Sequence, residues 1–274
     1  MIKSYISYLF HAKNEHSLHS PFVFELYTKI IRNSSQSADY QQVECLRKEL
    51  KRDNRIINVQ DFGAGSKKNP NQTLSDGHSF LSKKSIKNIA KNAEKSPKFG
   101  QLFFRLIQFF EFKSIFDLGT SLGITTAYLA FANTGLTNGL TRNVEVKTFE
   151  GCPETAKIAT ENFEKLGIKN VEIIIGNLDE TLAKKVAETE KIDFVFFDAN
   201  HRFEPTIKYF EICLTKAHEE SLFVFDDIYW SAEMTAAWQE IKNHPKVSVT
   251  IDLFFVGLVF FRKKQPKQHF VLKF

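Results

Sequence analysis

Four side chains stand out by type and spacing. Asp198 and His201 sit in the run Asp198-Ala199-Asn200-His201, and the pair Asp226-Asp227 leads into Ile228-Tyr229-Trp230. Each group follows a short apolar run that reads as a strand, so all four fall at strand ends. Three carboxylates gathered there repel one another unless a cation or proton is shared. A hard divalent ion with oxygen ligands, magnesium first, answers that for Asp198, Asp226 and Asp227. Such an ion could hold a hydroxyl and lower its pKa. His201, with an ordinary pKa of about 6.5, could then take the proton near neutral pH. The plainer alternative is that Asp226 or Asp227 caps a helix starting near Ser231 and that His201 is a capping or surface residue.

A second constellation precedes it. In Ile115-Phe116-Asp117-Leu118-Gly119-Thr120-Ser121-Leu122-Gly123-Ile124, an apolar run passes through two glycines into a helix. Glycine permits the tight turn and a close backbone approach to a ligand. The helix start offers unpaired N–H groups and partial positive charge. Asp117 would repel a pyrophosphate and favour a cationic group. The following strands end at Glu150-Gly151 and Gly176-Asn177. A carboxylate at position 150 can accept both hydroxyls of a ribose, and Asn177 can lie along an adenine edge. The expected cofactor contacts are therefore Asp117, Gly119, Thr120, Ser121, Gly123, Glu150, Gly151, Gly176, Asn177 and Asp198, with Asp198 and His201 as the catalytic pair.

The elements that carry these residues alternate regularly. Strands are expected at 114–118, 144–149, 171–175, 192–197, 222–225, 247–254 and 258–262. Helices are expected at 122–133, 154–166, 179–188, 205–217 and 233–243. Strands separated by helices of this length imply a parallel, doubly wound sheet, whose ligands bind at the carboxyl ends of the strands. Gly257 breaks the last run, so the final two strands form a hairpin and the last is antiparallel. The expectation is an α/β, Rossmann-like, seven-stranded sheet with a terminal antiparallel hairpin. Ahead of it, residues 1–95 read as a helical cap over an acceptor pocket, with Ser20-Pro21 as a helix start. Helices are expected at 22–31, 40–52, 83–95 and 100–110. Ile56 to Ser66 reads as a further strand and glycine turn that opens into a loop rather than a helix. His11, His16 and His19 lack a fixed ligand spacing and read as hydrogen-bonding or substrate-lining groups. The core domain is expected over 96–264 and a basic tail over 265–274.

Composition narrows the class. The chain has 274 residues, 43% of them hydrophobic, with 28 phenylalanines that read as core filling. The net charge of +5 reads as a solvated lysine face, not a nucleic-acid footprint. Three scattered cysteines with no CxxC spacing suggest reduced thiols in a cytoplasmic protein. No signal peptide or membrane-length apolar run is expected. The partner is expected to be a small-molecule acceptor, and a homodimer is an allowed assembly.

Over about residues 98–262 the sequence resembles the class I S-adenosylmethionine-dependent methyltransferases. Asp117 to Gly123 looks like their first motif and Glu150 like their ribose acid. Within them it is similar to the small-molecule O-methyltransferases of the catechol, caffeoyl-coenzyme A and macrolide-sugar types. Asp198-Ala199-Asn200-His201 sits where the first two types have Asp, two residues, then Lys. Asp226-Asp227-Ile228-Tyr229-Trp230 sits where they have Asp-Asn, two residues, then Trp. His201 and Asp227 depart from that pattern toward the macrolide-sugar branch. The resemblance implies S-adenosylmethionine as cofactor, with magnesium assisting, and methyl transfer to an oxygen. The alternatives are a nicotinamide oxidoreductase, a methyltransferase of RNA or protein, and a non-catalytic cofactor-binding scaffold. The acidic strand end and the terminal hairpin oppose the first, and no Asn-Pro-Pro-aromatic run supports the second.

Overall fold

The computed structural model describes residues 2–34, 37–62, 80–92, 94–132 and 143–274. The expected Gly63–Ser66 turn lies outside them. In chain order the helices are α1 (Ile2–His11), α2 (Pro21–Leu26), α3 (Ala38–Leu50), α4 (Ile86–Asn92), α5 (Pro97–Phe110), α6 (Ile124–Phe131), α7 (Pro153–Lys165), α8 (Leu178–Ala187), α9 (Phe203–Leu214) and α10 (Ala232–Asn243). The strands are β1 (Ile56–Asp61), β2 (Phe80–Ser85), β3 (Ser114–Leu118), β4 (Glu145–Glu150), β5 (Val171–Ile175), β6 (Ile192–Phe197), β7 (Ala217–Asp226), β8 (Val249–Asp252), β9 (Val256–Phe260) and β10 (Gln268–Val271). Two compact units emerge: Gln36–Lys185, and Met1–Ser35 together with Val186–Phe274. No described helix is long and apolar enough to cross a membrane.

In the unit Gln36–Lys185, β3, β4 and β5 lie side by side and parallel, with Asp117 opposite Thr148 and Glu150 opposite Ile175. Their carboxyl ends therefore open on one edge, which is where a parallel sheet presents its ligand site. Behind them α5 buries Leu102, Phe103, Leu106 and Ile107, an apolar stripe at helical spacing. It stops at Glu111, which adopts a left-handed φ of 58°. Residues 80–85 form β2, paired antiparallel with β1, where a helix was expected to begin near Lys83; α4 starts only at Ile86.

In the other unit the strand order is β10-β8-β9-β7-β6. Strand β6 is buried at every residue, as a parallel strand covered on both faces must be. It runs parallel to β7, and β9 is antiparallel to both β7 and β8. The expected terminal hairpin is therefore present, but Gly257 lies within β9, beneath the Trp238 ring, and the reversal falls at Leu253–Phe255. The phenylalanines do fill the core: Phe197 stacks on Phe225 at 4.2 Å, and Phe210 meets both Phe223 and Phe225 edge-on. Residues 268–271, within the expected basic tail, are the parallel edge strand β10 beside β8. Among the described residues one unit thus carries β3, β4 and β5, and the other carries five strands where four were expected. The hydroxyls of Tyr8 and Tyr27 fix the segment further by donating to the carbonyls of Leu272 and Lys273. At the amino end, Ser20 caps α2 through its side chain with Pro21 behind it, and the helix continues as a π-helical turn over Tyr27–Ile31.

Candidate active site

The glycine turn lies between β3 and α6. Gly119 and Gly123 have φ of 125° and 81°, and Ser121, with φ of 50°, is also left-handed. A non-glycine residue in that region marks a turn held by its surroundings. Two carboxylates hold it. Glu150 Oε2 accepts from the Ser121 N–H at 2.8 Å while its Oε1 accepts from the Cys152 N–H at 2.9 Å. Glu94 Oε1 accepts from the Ser121 hydroxyl at 3.1 Å and from the Leu122 N–H at 3.3 Å. Two backbone donors of the turn ahead of α6, the N–H groups of Ser121 and Leu122, are thus engaged by acids, which disfavours an anionic ligand there.

The other expected residues of this group divide by depth. Asp117, at the end of β3, and Thr120, within the turn, are buried. Asp117 Oδ2 accepts from the hydroxyls of Thr126 at 2.6 Å and Thr148 at 3.0 Å. Its Oδ1 is buried with no hydrogen-bond partner. Burial drives the Asp117 pKa from 3.8 up to about 7; the threonine hydroxyls oppose this, and the charges of Glu94 and Glu150 add to it. Glu94 is likewise raised, by burial first, with Arg47 pulling it back. Gly119, Ser121, Glu150, Gly151, Gly176 and Asn177 are only partly buried. The Phe62 ring packs on Gly151, since a Cβ there would stand 2.6 Å from it. Asn177 Oδ1 accepts from the Asp179 N–H at 3.0 Å, so part of this side chain serves the start of α8. Glu94 and Phe62 escaped the sequence reading. Glu94 is a lone acid between lysines, and its partners are 27 and 28 residues away.

In the other unit, β6 and β7 deliver Asp198, His201 and Asp226. Their ligating atoms all lie within 4.8 Å of one another. His201 Nε2 stands 3.4 Å from Asp198 Oδ1, and its ring lies 6.0 Å from Trp230. Burial pulls the His201 pKa down. The hydrogen bond and charge of Asp198, with Asp226 and Asp227 behind, outweigh it and hold the pKa above 6.5. Asp227, expected among the ligands, does not join this group. It has a left-handed φ of 49°, and its backbone N–H donates to Phe255 and its carbonyl accepts from Trp230. Ser231, rather than either aspartate, caps α10 through its side chain. Two carboxylates and an imidazole are a donor set that suits a divalent ion.

Strands alternating with helices, a glycine turn after the first parallel strand and a closing antiparallel hairpin define the Rossmann-like doubly wound class. Within it, residues 116–228 match the family model described as a methyltransferase domain. The chain is 30% identical over 135 residues to a catechol O-methyltransferase of Niastella koreensis. That match takes in 48% of this chain and 57% of the relative, so the chain spans little more than half of the curated protein it matches. An O-methyltransferase of Bacillus cereus, solved in complex with SAH, superposes with a TM-score of 0.54 at 18% identity, covering 84% of this chain and 93% of that one. The SAH-bound methyltransferase PaMTH1 of Podospora anserina gives 0.53 at 14% identity, covering 84% and 100%. TomG of Streptomyces achromogenes, solved with SAM, gives 0.52 at 19%, covering 62% and 82%. These chains share the fold.

Proposed function

We propose that this protein moves a methyl group from S-adenosylmethionine to an oxygen of a small-molecule acceptor. The observation that carries the reading is the glycine turn after β3, clasped by Glu94 and Glu150, within a segment that matches a methyltransferase domain. A turn whose donors are taken by carboxylates suits a cationic, hydroxyl-bearing ligand and rejects a dinucleotide pyrophosphate. On this reading Glu150 faces the ribose, Gly119 and Ser121 give the backbone its close approach, and Gly176 and Asn177 border the base. Asp117 and Thr120, both buried, support the turn.

His201 is the base, with Asp198 orienting its imidazole. It takes the hydroxyl proton of the acceptor. The oxygen electron pair then forms the new bond to the methyl carbon, the carbon–sulfur bond breaks, and its electrons stay on sulfur as a neutral thioether. The protein's main contribution is alignment, since proximity can supply roughly 7–11 kcal/mol. Asp198 and Asp226 would hold, beside His201, a divalent ion whose chemistry when bound is to lower the acceptor hydroxyl's pKa. Residues 1–95 are proposed to shape the acceptor site, 96–264 to carry the catalytic fold, and the cytoplasm to be its compartment, in keeping with the free thiols of Cys45, Cys152 and Cys213.

The test is calorimetry with S-adenosylmethionine, S-adenosylhomocysteine and NAD, followed by incubation with hydroxylated acceptors and detection of the thioether product by mass spectrometry. Binding of the first two and product formation are expected. Tight NAD binding with no response to the others refutes the reading.

A further inference from the structure

Three acids converge on one glycine turn. Glu94 and Glu150 both bond to Ser121, one through its hydroxyl and one through its N–H. Asp117, buried with one oxygen lacking a hydrogen-bond partner, feels the charge of both. Arg47 is a cation beside them, acting on Glu94. Its Nε is 3.5 Å from Glu44, which in turn accepts from Tyr128. Arg47 is thus shared with a fourth acid. Acids packed this closely raise one another's cost of ionisation, and the cost is relieved when a cation enters.

We propose that Glu94 is a specificity-determining residue that makes the site prefer a cationic sulfonium cofactor to its neutral thioether product. This rests on the cofactor reading above. The argument concerns the ligand's charge. A sulfonium carries a positive charge that the thioether lacks, and methyl transfer removes it. Carboxylates around the turn would stabilise the ligand before transfer and lose that attraction after it. Glu150 also has the ribose to hold and acts on both ligands alike, whereas Glu94 is free of that duty. Its carboxylate reaches the turn from the segment just ahead of α5, and Oε1 accepts both bonds. The consequence is discrimination at the exchange step: spent cofactor leaves a site that attracts its replacement more strongly.

The experiment is calorimetry on wild-type protein and Glu94→Gln with three probes: S-adenosylmethionine, S-adenosylhomocysteine, and sinefungin, whose amine supplies a cation in place of the sulfonium. Glutamine keeps the shape and an acceptor oxygen but removes the charge. The wild-type protein should bind both cationic probes more tightly than the thioether. In Glu94→Gln their affinities should fall about tenfold, as expected for one partly screened charge, while the thioether changes less than about twofold on the same reasoning. An equal loss for all three probes would mean that Glu94 merely shapes the turn and would overturn the proposal. Should Glu94→Gln fail to fold, the wild-type ratio decides: no preference for the cationic probes overturns it. Wild-type protein that binds none of the three would overturn the cofactor reading itself, a result distinct from binding with unaltered selectivity.

Discussion

Replacing Asp117 by asparagine should make this protein more stable at alkaline pH and change its response to acid. The carboxyl is buried and its pKa rises from 3.8 to about 7. Between those values the folded state holds a proton that the unfolded chain has released. The slope of unfolding free energy with pH follows protons bound in the unfolded state minus those in the folded state, so it is negative here. The wild-type contribution is therefore most favourable below about pH 4 and is lost as pH climbs through about 7. At about 1.4 kcal/mol per pH unit, the rise to about 7 corresponds to about 4 kcal/mol. Asparagine never ionises and escapes this penalty. It still offers an oxygen to Thr126 or Thr148, and its buried N–H₂ adds an offset that does not vary with pH. The assay is urea unfolding of both proteins without cofactor from pH 4.5 to 8.5. Other titrating groups are common to both and cancel in the difference. That difference should shift toward the variant by about 3 kcal/mol or more across the range. A flat difference within about 0.5 kcal/mol, smaller than half of one pH unit's worth, refutes the burial argument.

Other substitutions probe separate parts of the same structure. His201→Ala should leave the circular dichroism spectrum unchanged and lower the methylation rate by about 10²–10⁴-fold, measured as thioether released. Gly123→Ala would place a Cβ 2.7 Å from the Phe163 ring at a φ of 81°, and should cost about 2–4 kcal/mol by denaturant midpoint, from left-handed strain and overpacking together. Tyr8→Phe removes the hydroxyl that donates to Leu272; a loss of about 1 kcal/mol, with faster amide exchange at Leu272 and Lys273, is expected. Asp226→Asn should weaken manganese or magnesium binding in calorimetry, and an affinity equal to wild type would remove this carboxylate from the donor set.

Much of the sheet was legible because several of its strands are short, mostly apolar runs set between helices. Ser114–Leu118, Val171–Ile175 and Ile192–Phe197 fall where the sequence places them. The misses have particular causes. Residues 80–85 include Ser82, Lys83 and Lys84, so β2 has no apolar run to announce it; its partner β1 defines it as a strand. Gln268–Val271 is too short and too close to lysines to show a pattern, and β8 supplies what the local sequence lacks. For the site, residue types were readable but local backbone was not. Asp226 ends β7, while Asp227 just beyond it takes a left-handed φ of 49°; the sequence does not announce that change of backbone, and the cluster of ligating atoms includes Asp226 without Asp227. Depth was equally hidden: the sequence does not show that Asp117 and Thr120 are buried while Gly119 and Ser121 beside them are only partly so.

The contacts of Glu94 and Phe62 bear on how such a protein can be inherited. Both residues precede position 96, where the alternating pattern begins, yet one bonds to the glycine turn and the other rests on Gly151. Asn58 adds a further tie, donating through its backbone and its amide to Glu154 at the start of α7. The preceding segment is therefore not an interchangeable attachment on a self-sufficient catalytic half. Recombination that joins the later residues to a foreign amino-terminal segment would take an acid from the turn and an aromatic ring from Gly151 in one event. Exchange of substrate preference among such proteins would then proceed more readily by point substitution within the segment than by swapping it whole.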